Sequence, residues 1–168
     1  MSDDPTQVLR YPQLQDEGLA DWRFFLMKLH GRFRTGSFVR GLELVTRITA
    51  AAEEADHHPD VVLTYPHVDV DLHSHDVHGV TSRDVALARR ISEIAAAMGV
   101  EAAPREVSTL ELALDVPDAA AVKPFWSTVL GYGDSAWETQ VEDPGGRNGT
   151  LWFQEAPEAT GEVQQRFH

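Results

Sequence analysis

Hydrophobic and polar positions alternate with a period of two along some stretches of this chain and recur every three to four residues along others. Val68, Val70 and Leu72 alternate with Asp69, Asp71 and His73, which predicts a strand with one face toward a core. Leu110, Leu112, Leu114 and Val116 alternate in the same way with Glu111, Ala113 and Asp115. Arg23 to Thr35 is rich in strand formers and is interrupted by Gly31; it reads as a hairpin over about 22–29 and 32–36. Phe38, Leu42, Val45, Thr49 and Ala52 form the stripe of an amphipathic helix. Ser37 can cap it, and Pro59 disfavours helical geometry at His58, so the helix should end near Asp56. A second stripe runs through Val85, Ala88, Ile91, Ile94, Ala95 and Met98. Thr81 and Asp84 make a capping box at its start, and Gly99 stops it.

The order β-β-α-β-β-α predicts an α+β fold: a four-stranded antiparallel sheet with both helices on one face. Residues 1–20, with Pro5 and Pro12, read as a loosely ordered lead-in. Glu101-Ala102-Ala103-Pro104-Arg105 reads as a polar linker, which divides the chain into a domain over 1–100 and a module over 106–168. In the module, a helix from about Asp118 to Leu130 and further strands ending in Leu151-Trp152-Phe153 follow the strand at Leu110.

Composition narrows the function classes. With 42% apolar and 24% charged residues over 168 positions, a real core is available. A net charge of −13 argues against a nucleic-acid partner or an anionic membrane and is easier to reconcile with a small substrate of little charge. No apolar run approaches the ~20 residues of a membrane span. The acidic start Met1-Ser2-Asp3-Asp4-Pro5 is unlike a signal peptide, so a cytoplasmic protein is expected. The absence of cysteine excludes disulfides and thiolate chemistry. Lys28 and Lys123 are the only lysines, a bias resembling a GC-rich bacterial genome.

Candidate chemistry lies in Glu53-Glu54-Ala55-Asp56-His57-His58-Pro59, followed by Tyr65, Ser74-His75 and Asp84. Histidine serves as acid or base near neutral pH. Two adjacent histidines at a helix-to-strand junction point in different directions, so both can reach one substrate. Glu53 lies one helical turn before His57 and could orient it. A scattered set of surface histidines, or a zinc or iron site, would draw on the same residue types. Adjacent histidines rarely converge on one metal, and no His-x-x-x-His pair is present.

The spacing Glu-x3-His-His-Pro, then five residues to Tyr65, nine to His75 and eight to Asp84, resembles the signature of the pterin-4a-carbinolamine dehydratases. The resemblance covers about 19–98, including Leu19-Ala20-Asp21-Trp22 and Gly79-Val80-Thr81-Ser82-Arg83-Asp84. Ser74 stands where that family usually has threonine. The resemblance implies dehydration of a 4a-hydroxytetrahydropterin to the quinonoid dihydropterin, with no metal, flavin or nucleotide cofactor. It implies a pocket lined by His57, His58 and His75, with Glu53, Asp84 and Ser74 in support. His57 and His58 would share the acid role at the 4a oxygen, and His75 would hold the pterin and take the nitrogen proton. His67, His73 and His78 have no counterpart in the signature and are expected to be structural or surface residues. It also implies a homodimer or larger homo-oligomer.

Leu110 to Asp118, Phe125-Trp126, Leu130-Gly131-Tyr132, Asp143-Pro144-Gly145-Gly146 and Leu151-Trp152-Phe153-Gln154 resemble one βαβββ unit of a glyoxalase-like (vicinal oxygen chelate) domain. Such units normally pair around a metal. Here Glu111, Gln154 and His168 stand at ligand positions, as weak candidates, and a metal-free packing or oligomerisation module is the favoured expectation. The competing functions are therefore a dehydratase, a non-catalytic dimerising or binding module of the same fold, and a metal-dependent glyoxalase-like enzyme.

Overall fold

The computed structural model describes residues 4–135 and 137–156. The chain divides into two compact units, one up to Val107 and one from Ser108.

The first unit opens with a short helix, α1 (Tyr11–Asp16), inside the segment expected to be irregular. Leu14 buries itself from α1 into the core, the anchor that lets this polar stretch order. Strands β1 (Trp22–Phe25) and β2 (Lys28–Arg34) form the hairpin. Its turn is Leu26-Met27, both in the left-handed region (φ 48° and 60°), rather than the neighbourhood of Gly31. Gly31 sits inside β2 opposite Trp22. A Cβ there would lie 2.9 Å from the Trp22 ring and 3.1 Å from Phe33, so the glycine makes room for an aromatic pair instead of a turn.

Helix α2 (Phe38–Ala55) is capped by Ser37, whose hydroxyl accepts from the Arg40 amide. It ends where Asp56 turns left-handed at φ 47°. Strands β3 (Asp60–Leu63) and β4 (His67–Leu72) form a second hairpin, joined by a turn containing a cis Tyr65–Pro66 peptide. Helix α3 (Ser82–Ala97) follows. The stretch 101–105, expected as a linker, instead adds β5 (Glu101–Ala102) and a 3-10 turn over Pro104–Glu106. Strand β5 pairs with β2, and the Arg34 guanidinium pairs with the carboxylates of Glu101 and Glu106.

The main strand order is β1-β2-β4-β3, all antiparallel, with β5 as a fifth strand beyond the four expected. Leu29, Phe33, Val68, Val70 and Leu72 share one core with Leu44, Ile48, Val85, Leu87 and Ile91 of α2 and α3. Each such side chain contributes about 1.5–3 kcal/mol on burial. The register sets Asp60 opposite Asp71 and Leu72 opposite Leu29. The start of β3, the end of β4 and the start of β2 therefore meet at one end of the sheet.

The second unit is β6 (Leu112–Val116), α4 (Ala119–Leu130), β7 (Gly133–Asp134), β8 (Gln140–Glu142) and β9 (Leu151–Glu155). The sheet order is β6-β9-β8-β7, with β6 and β9 parallel. This is the βαβββ arrangement. Leu114, Val116, Val141, Leu151 and Phe153 form its core under Val122 and Trp126 of α4.

Candidate active site

The site is built at the sheet end just described. Helix α2 delivers His57 and His58 immediately before β3, and β4 delivers His73, Ser74 and His75 immediately after its last residue. Because β3 and β4 run antiparallel, the two histidine groups arrive at the same end. An isolated bridge between Ser74 and Gly79 closes a small loop that leads straight into α3.

Asp84, on the first turn of α3, organises this corner and is wholly buried. Its Oδ1 accepts from His57 Nε2 at 2.7 Å. Its Oδ2 accepts from Ser74 Oγ at 2.7 Å and from the Thr81 amide at 2.7 Å. The Ser74 and Thr81 hydroxyls lie 2.9 Å apart, and Thr81 Oγ1 in turn accepts from the Arg83 amide at 3.2 Å. The capping box and the histidine support are thus one network. A buried carboxylate with its lone pairs occupied in this way avoids the cost of an unpaired charge.

His57 is buried, at 8% exposure. With Nε2 bound to Asp84, Nδ1 is left free: a bare acceptor in the neutral ring, an N–H donor in the charged one. Glu53 does not reach His57. Its Oε1 accepts from His58 Nε2 at 3.1 Å, an exposed pair. The left-handed Asp56 breaks the helical register between Glu53 and His57, which removes the one-turn relationship the sequence suggests. Each of the adjacent histidines therefore has its own carboxylate.

His75 is exposed and its ring packs on His73, with centroids 3.9 Å apart at 56°. His73 is held well below the ordinary imidazole range, at about 4, by burial and then by the nearby Lys28 and His75, with Asp60 and Asp84 opposing. Its proximity to Asp84 and to His75 makes it a member of this corner, which the spacing signature alone does not reveal. The available signal was its position two residues before His75. Tyr65 lies at the opposite end of the β3–β4 hairpin, 72% exposed, and takes no part. His67 pairs with Asp69 at 3.4 Å on the open sheet face, and His78 is exposed in the loop.

In the second unit, Glu111 and Gln154 are both exposed. The parallel register pairs Leu112 with Leu151 and Asp115 with Gln154, so the two candidates stand about four rungs apart, roughly 13 Å. They do not converge. His168 lies outside the described residues. Among the described residues no cluster of three histidine, aspartate or glutamate side chains is arranged to hold a metal ion, and no helix is long and apolar enough to cross a membrane.

Comparison with known proteins finds a family match for each of the two parts of the chain. Residues 111–168 match a glyoxalase-like domain, and residues 7–94 match the pterin 4 alpha carbinolamine dehydratases. A relative from Nostoc punctiforme, provisionally named a pterin-4-alpha-carbinolamine dehydratase, is 34% identical over 91 residues, covering 53% of this chain and 98% of its own. One from Afipia carboxidovorans, with the same provisional name, is 44% identical over 68 residues, 40% of this chain and 68% of its own. A crystal structure from Brucella melitensis, described as a transcriptional coactivator/pterin dehydratase, superposes with a TM-score of 0.50 at 27% identity, over 53% of this chain and 99% of that one. The family match spans the sheet end, α2, most of α3 and every residue of the histidine corner, and on that ground the chain belongs to the pterin 4 alpha carbinolamine dehydratase family, with a glyoxalase-like domain following.

Proposed function

We propose that the first unit dehydrates 4a-hydroxytetrahydropterin to the quinonoid dihydropterin through His57, His58 and His75. The observation that carries this reading is the buried His57–Asp84 hydrogen bond at an end of the sheet that also presents His58 and His75. In the reaction the C4a–O bond breaks, the oxygen leaves as water with one proton supplied to it, and the N5 proton departs to a base. One histidine in its charged form supplies the first proton, and a second in its neutral form takes the other. Each positioned group is worth about 10²–10⁴-fold. Asp84 fixes the His57 tautomer and Glu53 steadies His58, so Nδ1 is the working nitrogen of both rings. His75 lies against the pterin and accepts the N5 proton. Ser74 serves the site indirectly, by completing the Asp84 network.

The reading sets the reaction in the cytoplasm, beside the hydroxylase that generates the carbinolamine, with the protein as a two-fold or larger homo-oligomer. Strand β3 is a free sheet edge carrying the 56%-exposed Val62, and α2 exposes Phe38, Val39 and Leu42; such surfaces call for a partner. Light scattering should return at least twice the 18.6 kDa chain mass.

The decisive experiment is stopped-flow decay of 4a-hydroxytetrahydropterin with the purified full chain. The wild type should accelerate decay, and the double variant His57→Ala/His75→Ala should return it to the uncatalysed rate with its circular dichroism unchanged. Wild-type turnover in the double variant would remove these residues from the chemistry.

A further inference from the structure

The three histidines are held in two different ways. His57 is fixed by Asp84 and His58 by Glu53, each through a ring nitrogen. His75 has neither support: among the described residues, no hydrogen bond to a side chain holds it, and the ring in contact with it is His73. We propose that His73 is a positioning residue for the dehydration, holding the exposed His75 imidazole in place by ring-against-ring contact. This rests on the dehydratase reading of the same corner.

Several observations on different elements support the assignment. His73 is the first residue past β4 and is partly buried, so its own ring is anchored by the sheet. His75 is exposed and would otherwise be free to sample rotamers. The charged groups that reach His73 are Lys28 from β2, Asp60 from β3, Asp84 from α3 and His75 itself. Burial and the first of these keep His73 neutral at physiological pH. A neutral ring packs on His75 without adding a second positive charge beside it. An aromatic ring is therefore what the position requires, and its ionisation is not. A misplaced catalytic group typically costs an order of magnitude or more in rate.

The test uses the full chain and three variants. His73→Ala should lower kcat about tenfold, His73→Asn should do the same, and His73→Phe should restore wild-type kcat because a ring still covers His75. A second readout does not need activity. The His75 ring protons should carry an NMR ring-current shift in the wild type and in His73→Phe, and should lose it in His73→Ala and His73→Asn. His75 signals that stay put in His73→Ala overturn the contact whatever the turnover. Signals that move while kcat is unchanged overturn the positioning role, as does a His73→Phe variant as slow as His73→Ala. A wild type that does not dehydrate the pterin sinks the functional reading of the corner and, with it, the role of His73, and it does so separately from the NMR result.

Discussion

Asp84 and His57 are joined by a 2.7 Å hydrogen bond in which the carboxylate is wholly buried, and the same carboxylate closes the cap of α3. A single side chain therefore orients a candidate catalytic ring and starts a helix. Asp84→Ala should destabilise the first unit by about 3–5 kcal/mol, since it strands His57, Ser74 and the Thr81 amide together. Asp84→Asn should cost only about 1–2 kcal/mol, because its carbonyl still accepts from Ser74 and Thr81. Its amide would face His57 Nε2 and reverse the tautomer, so turnover should drop roughly 10–100-fold. Urea unfolding and stopped-flow rates on the two variants separate the effects; equal losses of both quantities in Asn and Ala would refute the division.

His73 links folding to pH. In the unfolded chain its imidazole titrates near 6.5, and in the fold not until about 4. Between these values the unfolded state binds the additional proton, so stability is full above about pH 6.5 and is lost as pH falls toward 4. Partial exposure screens the effect, leaving on the order of 1 kcal/mol. Urea midpoints at pH 7 and pH 4.5 should fall further in the wild type than in His73→Phe. Parallel losses would show that His73 does not contribute.

Gly31 is required by the Trp22 ring, which a Cβ would meet at 2.9 Å. Trp22 is 3% exposed and its indole N–H donates to Ser92 at 3.1 Å, so the ring has little freedom to retreat. Gly31→Ala should cost about 1–3 kcal/mol by overpacking, read as a lowered melting temperature. An unchanged value would mean that the ring shifts freely.

Every proposed catalytic residue precedes Val107. A chain ending at residue 107 should fold and keep most of the pterin turnover. The cut belongs there and not near 100, because Ala103 donates its amide to Arg32 and Glu106 pairs with Arg34. A folded but inactive 1–107 fragment would assign the following residues a part in the chemistry.

Much of this was legible from side-chain periodicity. The alternation at 68–72 and the Thr81–Asp84 box each correspond to an element with nearly the expected bounds, and so does the helix after Phe38. However, α2 buries Gly41, Leu44, Ile48, Ala51 and Ala52, while Phe38, Leu42 and Thr49 of the expected stripe lie exposed. What periodicity could not supply was tertiary. Gly31 looks like a turn until Trp22 is placed over it, and Leu26-Met27 carries none of the usual residues for a left-handed two-residue turn. Leu14 gives only one apolar position to reveal α1. In the candidate site, spacing gathered His57, His58, His75 and Asp84 but paired Glu53 with the wrong histidine. One left-handed residue, Asp56, decides that pairing.

The short β5 strand has a mechanical consequence. The chain leaving α3 is stitched to β2 by ladder hydrogen bonds at Phe33 and Arg34, and again by the Arg34 ion pairs. A pull applied beyond residue 107 therefore reaches β2 near Arg34 first, whereas the histidine corner sits at the opposite end of that strand, near Lys28. The corner proposed to carry the chemistry is thereby set apart from the point where the following segment leaves the first unit.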